Sequence, residues 1–173
     1  MIKSIPGNII GVIPAHMSSI RFPGKILHPI LDIPMIEHVR RRAELCEELD
    51  KVYVATCDQE IANVILEFGG NVIMTKSDHT NGTSRVAEAV KDINCSHVIL
   101  LQGDEPLLIP EDIDFFVKTI KLKPLVKAWN AVADLSNKEE LDKNSFVLEI
   151  GCNDGIMFQN FLENNELGEL KDF

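Results

Sequence analysis

Two fixed cations, Arg21 and Lys25, sit in the turn-rich segment Val12–Lys25, directly after an apolar run. Pro14, Pro23 and Gly24 keep this segment irregular, which leaves its backbone amides free to face a ligand. An arginine can fork two phosphate oxygens, and a lysine adds a compact charge. Charge alone favours a solvated basic loop, but the position after the first apolar run shifts the balance towards phosphate. Two carboxylates, Asp104 and Glu105, occupy Gln102-Gly-Asp-Glu-Pro106 after another apolar run. A carboxylate at a strand end can hold Mg²⁺ while substrate phosphates complete the octahedron. The alternative is a helix cap or a surface turn. We assign the metal role to Asp104 and leave Glu105 open. A cationic loop and an acidic strand end on one sheet edge suit a metal–nucleoside triphosphate site.

A third segment, Asn81-Gly-Thr-Ser-Arg-Val-Ala-Glu88, opens a helical pattern. Gly82 allows backbone to approach a ligand, and the helix start offers amides. A plain capped helix start reads equally well. His16 and His79 have no second histidine at ligand spacing, which favours structural or loop roles. Arg40-Arg41-Arg42 reads as a solvated helix face with salt bridges to nearby acids. Trp129 and the phenylalanines read as core.

The elements that must position these residues alternate. Ile9–Ile13, Val52–Ala55, Val72–Met74 and Val98–Leu101 are apolar throughout, as expected of strands covered on both faces. Helices fall between them. Ile36, Val39, Ala43 and Cys46 form one stripe after Pro34. Ile61, Val64, Ile65 and Phe68 form another, with Asp58 as its N-cap and Gly69-Gly70 as its stop. Val86, Val90 and Ile93 follow Thr83. Pro110 takes a first helical position, with Glu111 and Asp112 in the first turn and Ile113, Phe116, Val117 and Ile120 inward. The pattern predicts an α/β fold: a mainly parallel, Rossmann-like sheet with helices on both faces. In such sheets ligands bind beyond the carboxyl ends of the strands, where strand order switches. Both charged segments belong to that edge.

With 173 residues the chain has the length of one domain, and no repeat or linker interrupts it. Its 17 Lys and Arg against 27 Asp and Glu give a net charge of −10. That argues against nucleic acid or an anionic membrane as partners, since both need a basic face. Cys46, Cys57, Cys95 and Cys152 form no Cys-x-x-Cys pair and read as reduced thiols. No apolar run approaches the ~20 residues that span a bilayer. No signal-like apolar region opens the chain. A cytoplasmic setting is expected.

Across Val12–Pro110 the chain resembles the 3-deoxy-manno-octulosonate (Kdo) cytidylyltransferase family. The similar pieces are Ile13-Pro-Ala15, Arg21-Phe-Pro-Gly-Lys25, Pro34-Met-Ile36, Val54-Ala-Thr56, Phe68-Gly-Gly70, Met74-Thr75, His79-Thr-Asn-Gly-Thr-Ser-Arg85 and Gln102-Gly-Asp-Glu-Pro106. Residues 128–146 further resemble the branch that handles the 8-amino sugar analogue. The resemblance implies a nucleotide-diphospho-sugar transferase type of fold and a CTP site. Arg21 and Lys25 would hold the triphosphate, with Lys25 and Asp104 catalytic and Asp104 binding Mg²⁺. Ala15, His16, Gly82, Arg85 and Gln102 would help seat the nucleotide. The implied reaction, a step in lipopolysaccharide precursor synthesis, transfers CMP from CTP to the anomeric hydroxyl of Kdo or its 8-amino analogue, an acidic sugar, and releases pyrophosphate. A homodimer is the implied assembly.

Two departures accompany the resemblance. His16 stands where the family usually has arginine. The family's C-terminal half, with its sugar pocket and a second metal-binding aspartate in a Val-Asp-Thr-Pro-like motif, has no counterpart here. Instead Glu149-Ile-Gly-Cys-Asn-Asp-Gly155 resembles the first glycine motif of class I S-adenosylmethionine methyltransferases, and only 18 residues follow it. A terminal strand and helix would explain the same residues. The expected organisation is a truncated nucleotide-binding domain over 1–146 and a divergent, fused or frameshifted tail over 147–173. The rival functions are a non-catalytic CTP-binding remnant, a methyltransferase-related fragment, and the same chemistry on another sugar such as a sialic acid.

Overall fold

The computed structural model describes residues 8–19, 22–123, 126 and 128–129. Arg21 and the expected boundary and tail beyond residue 146 lie outside the described residues. The chain order is β1 (Ile9–Ala15), β2 (Pro29–Ile30), β3 (Ile33–Pro34), α1 (Met35–Glu44), β4 (Lys51–Thr56), α2 (Gln59–Glu67), β5 (Val72–Met74), α3 (Gly82–Ala89), β6 (His97–Leu100) and α4 (Pro110–Leu122). All four long apolar runs are strands, and all four helical stripes are helices.

The main sheet has the order β5-β4-β1-β6 and every pairing in it is parallel. β1 is central because both its faces are apolar. Its odd side chains, Ile9, Ile13 and Ala15, enter the larger core with α1, α2 and α4. Its even ones, Ile10 and Val12, meet Ala55, Val86 and Ala89 on the face covered by α3. Helices thus cover both faces, unequally. The chain runs outward from β1 through β4 to β5, then returns to place β6 on the other side of β1. The switch in strand order therefore falls between β1 and β6, at their carboxyl ends.

Local chemistry departs from expectation in four places. The hairpin β2–β3 was not foreseen: its turn residues Leu31 and Asp32 both have positive φ, 49° and 67°. Leu-Asp lacks the Asn-Gly or Asp-Gly signature of such turns. Second, the three arginines are not one solvated face. Arg40 is 4% exposed and fully buried Glu37 forms a two-pronged pair with it, at 2.6 and 2.7 Å. Those hydrogen bonds, more than any other influence, hold the guanidinium's pKa above its ordinary value. Arg42 donates to the Leu108 carbonyl at 3.1 Å, and only Arg41 is exposed. Third, the phenylalanines are not all core: Phe22 and Phe115 are exposed, and Phe68 lies at the surface beneath the Arg41 guanidinium, 5.1 Å from the ring centre. Fourth, Asp58 takes the N-cap position of α2 but its side chain caps nothing there. Gly69 does stop α2, at φ 77°, a conformation costly for any residue with a Cβ. Cys46 lies just past α1 and stays buried, which pushes its thiol pKa up to about 12.

Candidate active site

The loop leaving β1 passes over the switch in strand order. Ala15 is buried with its side chain in the core, so it offers the site backbone only. His16 is exposed, its Nδ1 3.2 Å from the Ser18 hydroxyl. The chain then doubles back. The Met17 carbonyl accepts from Ser19 N at 2.9 Å and Gly24 N at 3.0 Å. Lys25 follows at the start of a single 3₁₀ turn, Lys25–Leu27, that Ile26 pins into the core.

On the far side of β1, the segment after β6 carries Gln102, half-buried, then Gly103 and Asp104. Gly103 is buried against β1. A Cβ there would lie 3.1 Å from the Pro14 carbonyl oxygen, 3.1 Å from Ile26 Cδ1 and 3.2 Å from Ile36 Cδ1. Only glycine lets the two strand ends come this close. The consequence is chemical: the Lys25 ammonium pairs directly with the Asp104 carboxylate, residues distant in sequence. Both side chains remain open, at 34% and 43% exposure, so a ligand can reach each.

Gly82 likewise meets β1. A Cβ on it would lie 3.0 Å from Pro14 Cγ. The start of α3 is a capped one: Asn81 Oδ1 accepts from Ser84 N at 2.8 Å. Arg85 is 3% exposed, and its guanidinium donates to Thr75 Oγ1 at 2.6 Å and the Lys76 carbonyl at 3.3 Å. It thereby ties the end of β5 to α3. His79 Nε2 lies 2.5 Å from Glu88 Oε2, and Lys76 N donates to the same oxygen at 3.0 Å. The His79 bond, then the Lys76 amide, draw the Glu88 carboxyl below its ordinary pKa. The structure thus brings Lys25 and Asp104 together and packs Gly82 and Gly103 on Pro14. Arg85 it turns to a neighbouring loop.

Two contributors escaped the sequence reading. Gly103 was visible only as part of a motif; the signal for it is a glycine between the end of an apolar run and an acid. The sequence suggests a helix cap at Asp58, yet its carboxylate accepts from the Met17 amide at 2.8 Å, across to the β1 loop.

Asp104 fits a divalent ion as one exposed carboxylate at a strand end. No cluster of three His, Cys, Asp or Glu exists among the described residues. One carboxylate with substrate phosphates is a usual way to bind Mg²⁺. No described helix is long and apolar enough to cross a membrane.

The chain is similar in sequence and fold to known proteins. The 3-deoxy-manno-octulosonate cytidylyltransferase of Arabidopsis thaliana, described as mitochondrial, is 40% identical over 144 residues, 82% of this chain and 50% of that protein. The 8-amino-3,8-dideoxy-manno-octulosonate cytidylyltransferase of Shewanella amazonensis is 39% identical over 151 residues, 85% of this chain and 62% of that one. A CMP:2-keto-3-deoxy-manno-octonic acid synthetase solved in complex with CTP superposes with a TM-score of 0.67 at 38% identity, covering 69% of this chain and 49% of that chain. The chain thus spans about half the length of the relatives it matches. A family model described as cytidylyltransferase matches residues 10–155. That span includes the β1 loop, the start of α3 and the acidic segment after β6, and the match makes this chain a member of the cytidylyltransferase family.

Proposed function

We propose that this chain carries the nucleotide-binding part of a sugar cytidylyltransferase, which transfers CMP from CTP to the anomeric hydroxyl of Kdo or its 8-amino analogue. The observation that carries this reading is the open Lys25–Asp104 pair at the strand-order switch. Its support is the likeness to relatives named for those two sugars.

In this reading the pair is a resting arrangement. Lys25 leaves Asp104 for the triphosphate, joined by Arg21, and Asp104 is freed to hold Mg²⁺. Asp104 would hold the metal, which would supply neutralisation of phosphate charge. The sugar hydroxyl attacks the α-phosphorus in line. The new O–P bond forms as the bond to pyrophosphate breaks, and the hydroxyl proton is released. Positioning and charge neutralisation supply the rate, with no covalent enzyme intermediate. Gln102, His16 and the Ala15 backbone line the same edge and seat the nucleotide. Gly82 and Arg85 act from one step back, through Pro14 and Thr75. A cytoplasmic homodimer using lipopolysaccharide precursors completes the reading.

The test is calorimetric titration of CTP with Mg²⁺ into the purified chain, with S-adenosylmethionine as a second titrant. Saturable CTP heat that vanishes without the metal is expected. Binding of S-adenosylmethionine with indifference to CTP would overturn the reading. Pyrophosphate release on adding Kdo separates a transferase from a protein that only binds nucleotide.

A further inference from the structure

The β1 loop is tied to the sheet on both sides of β1. Towards β6, Lys25 pairs with Asp104. Towards β4, the Met17 amide donates to Asp58 Oδ2 at 2.8 Å. These ties differ in kind. The first is between two open side chains and must break if either is to meet a ligand. The second joins a backbone amide to a half-buried carboxylate and involves neither side chain of the Lys25–Asp104 pair.

Met17 is also where the loop closes. Its carbonyl accepts from both Ser19 N and Gly24 N, so Met17 and Gly24 form a neck, with Lys25 next in the chain. The sheet in turn fixes Asp58. Its own amide donates to Thr56 Oγ1 at 3.1 Å, and Thr56 is fully buried at the end of β4, in register with Ala15. The Cys57 thiol lies 3.7 Å from the same carboxylate oxygen. A helix-capping aspartate would accept from an amide of its own helix, and Asp58 does not.

From this arrangement we infer that Asp58 is a positioning residue for nucleotide binding: its carboxylate holds the Met17–Gly24 neck, so the loop keeps its shape when Lys25 leaves Asp104. The inference rests on the nucleotide-binding reading above, but its first consequence can be measured without nucleotide.

Two variants test it, Asp58→Ala and Asp58→Asn. Asparagine keeps an acceptor oxygen at the same reach; alanine removes it. In Asp58→Ala, hydrogen exchange at the Met17 and Gly24 amides should rise about tenfold or more, while exchange at Val12 and Val54 stays unchanged. Affinity for Mg²⁺–CTP should fall by about ten- to a hundredfold, the range for losing a hydrogen bond to a charged acceptor. In Asp58→Asn both quantities should recover in part, to at least about threefold better than in the alanine variant, because a neutral acceptor keeps a weaker hydrogen bond. Unchanged Met17 and Gly24 exchange in the alanine variant overturns the inference. So does a rise spread evenly over β1 and β4, which would mark a loss of global stability. An asparagine variant no better than alanine overturns it too. If the unmodified chain does not bind Mg²⁺–CTP, the nucleotide reading falls, and the exchange measurement still decides whether Asp58 holds the neck.

Discussion

Asp104 and His16 differ in how far the fold constrains them, and their substitutions should differ accordingly. Asp104 touches Lys25 at the surface, and an open ion pair contributes only about 0–1 kcal/mol. Asp104→Asn should therefore leave the melting temperature nearly unchanged while removing the metal dependence of CTP binding. Titrations with and without Mg²⁺ on the variant check this; retained metal dependence would take Asp104 out of the site. His16 is exposed and hydrogen-bonded only to Ser18 among the described residues. His16→Arg disturbs no packing and supplies the forked cation usual in the family at this place. CTP affinity should tighten by about 1–3 kcal/mol at most, the scale of a hydrogen bond to a charged group. No change in affinity would mean that position 16 faces away from the phosphates. Both positions stand out in the sequence because each closely follows an apolar run that forms a strand. Asp58 does not, because its partner lies 41 residues away and its local context imitates a helix cap.

At the scale of elements, strands and helices were legible because period and burial agree. A run such as Ile9–Ile13 has no polar face to turn to water, and the stripe Ile36-Val39-Ala43 can be buried only as a helix. What escaped was anything set by contact between elements. The Glu37–Arg40 pair follows from i,i+3 spacing within α1, but its burial, set by the elements packed over it, does not. The meeting of β1 and β6 depends on Gly103 having no side chain. Gly103→Ala should cost about 1–3 kcal/mol by overpacking, because a backbone oxygen and two buried isoleucines surround the new methyl. It should also weaken CTP binding, by moving Asp104 away from Lys25. Gly69→Ala is the control. A Cβ there meets nothing within 4 Å, so its cost is the positive φ alone, about 1–2 kcal/mol, with CTP affinity unchanged. Chemical denaturation and CTP titration of both variants separate the two effects. Equal CTP affinities in the two would mean that the approach of β6 to β1 stabilises the fold without shaping the site.

The whole molecule sets how a nucleotide arrives. Parallel strands in the order β5-β4-β1-β6 put both charged segments at one edge, while the chain as a whole carries a net charge of −10. A magnesium–nucleotide complex is still anionic, so it approaches against the protein's long-range field. The Lys25–Asp104 pair cancels the nearer cation at a distance, and Lys25 becomes an attractive partner only once its neighbour lets go. Raising salt from about 10 mM to about 150 mM shortens the screening length from ~30 Å to ~8 Å. Repulsion summed over the whole surface is then largely screened, whereas contact pairing at the edge is only weakened. The association rate for Mg²⁺–CTP should therefore rise with salt, by about two- to tenfold, and the dissociation rate should rise with it. Stopped-flow measurement across that range reads both. An association rate that falls with salt would mean that the β1 loop already projects enough positive potential to steer the nucleotide. In that case the Lys25–Asp104 pair would be open before the ligand arrives, and Asp58 would hold a loop already poised for phosphate.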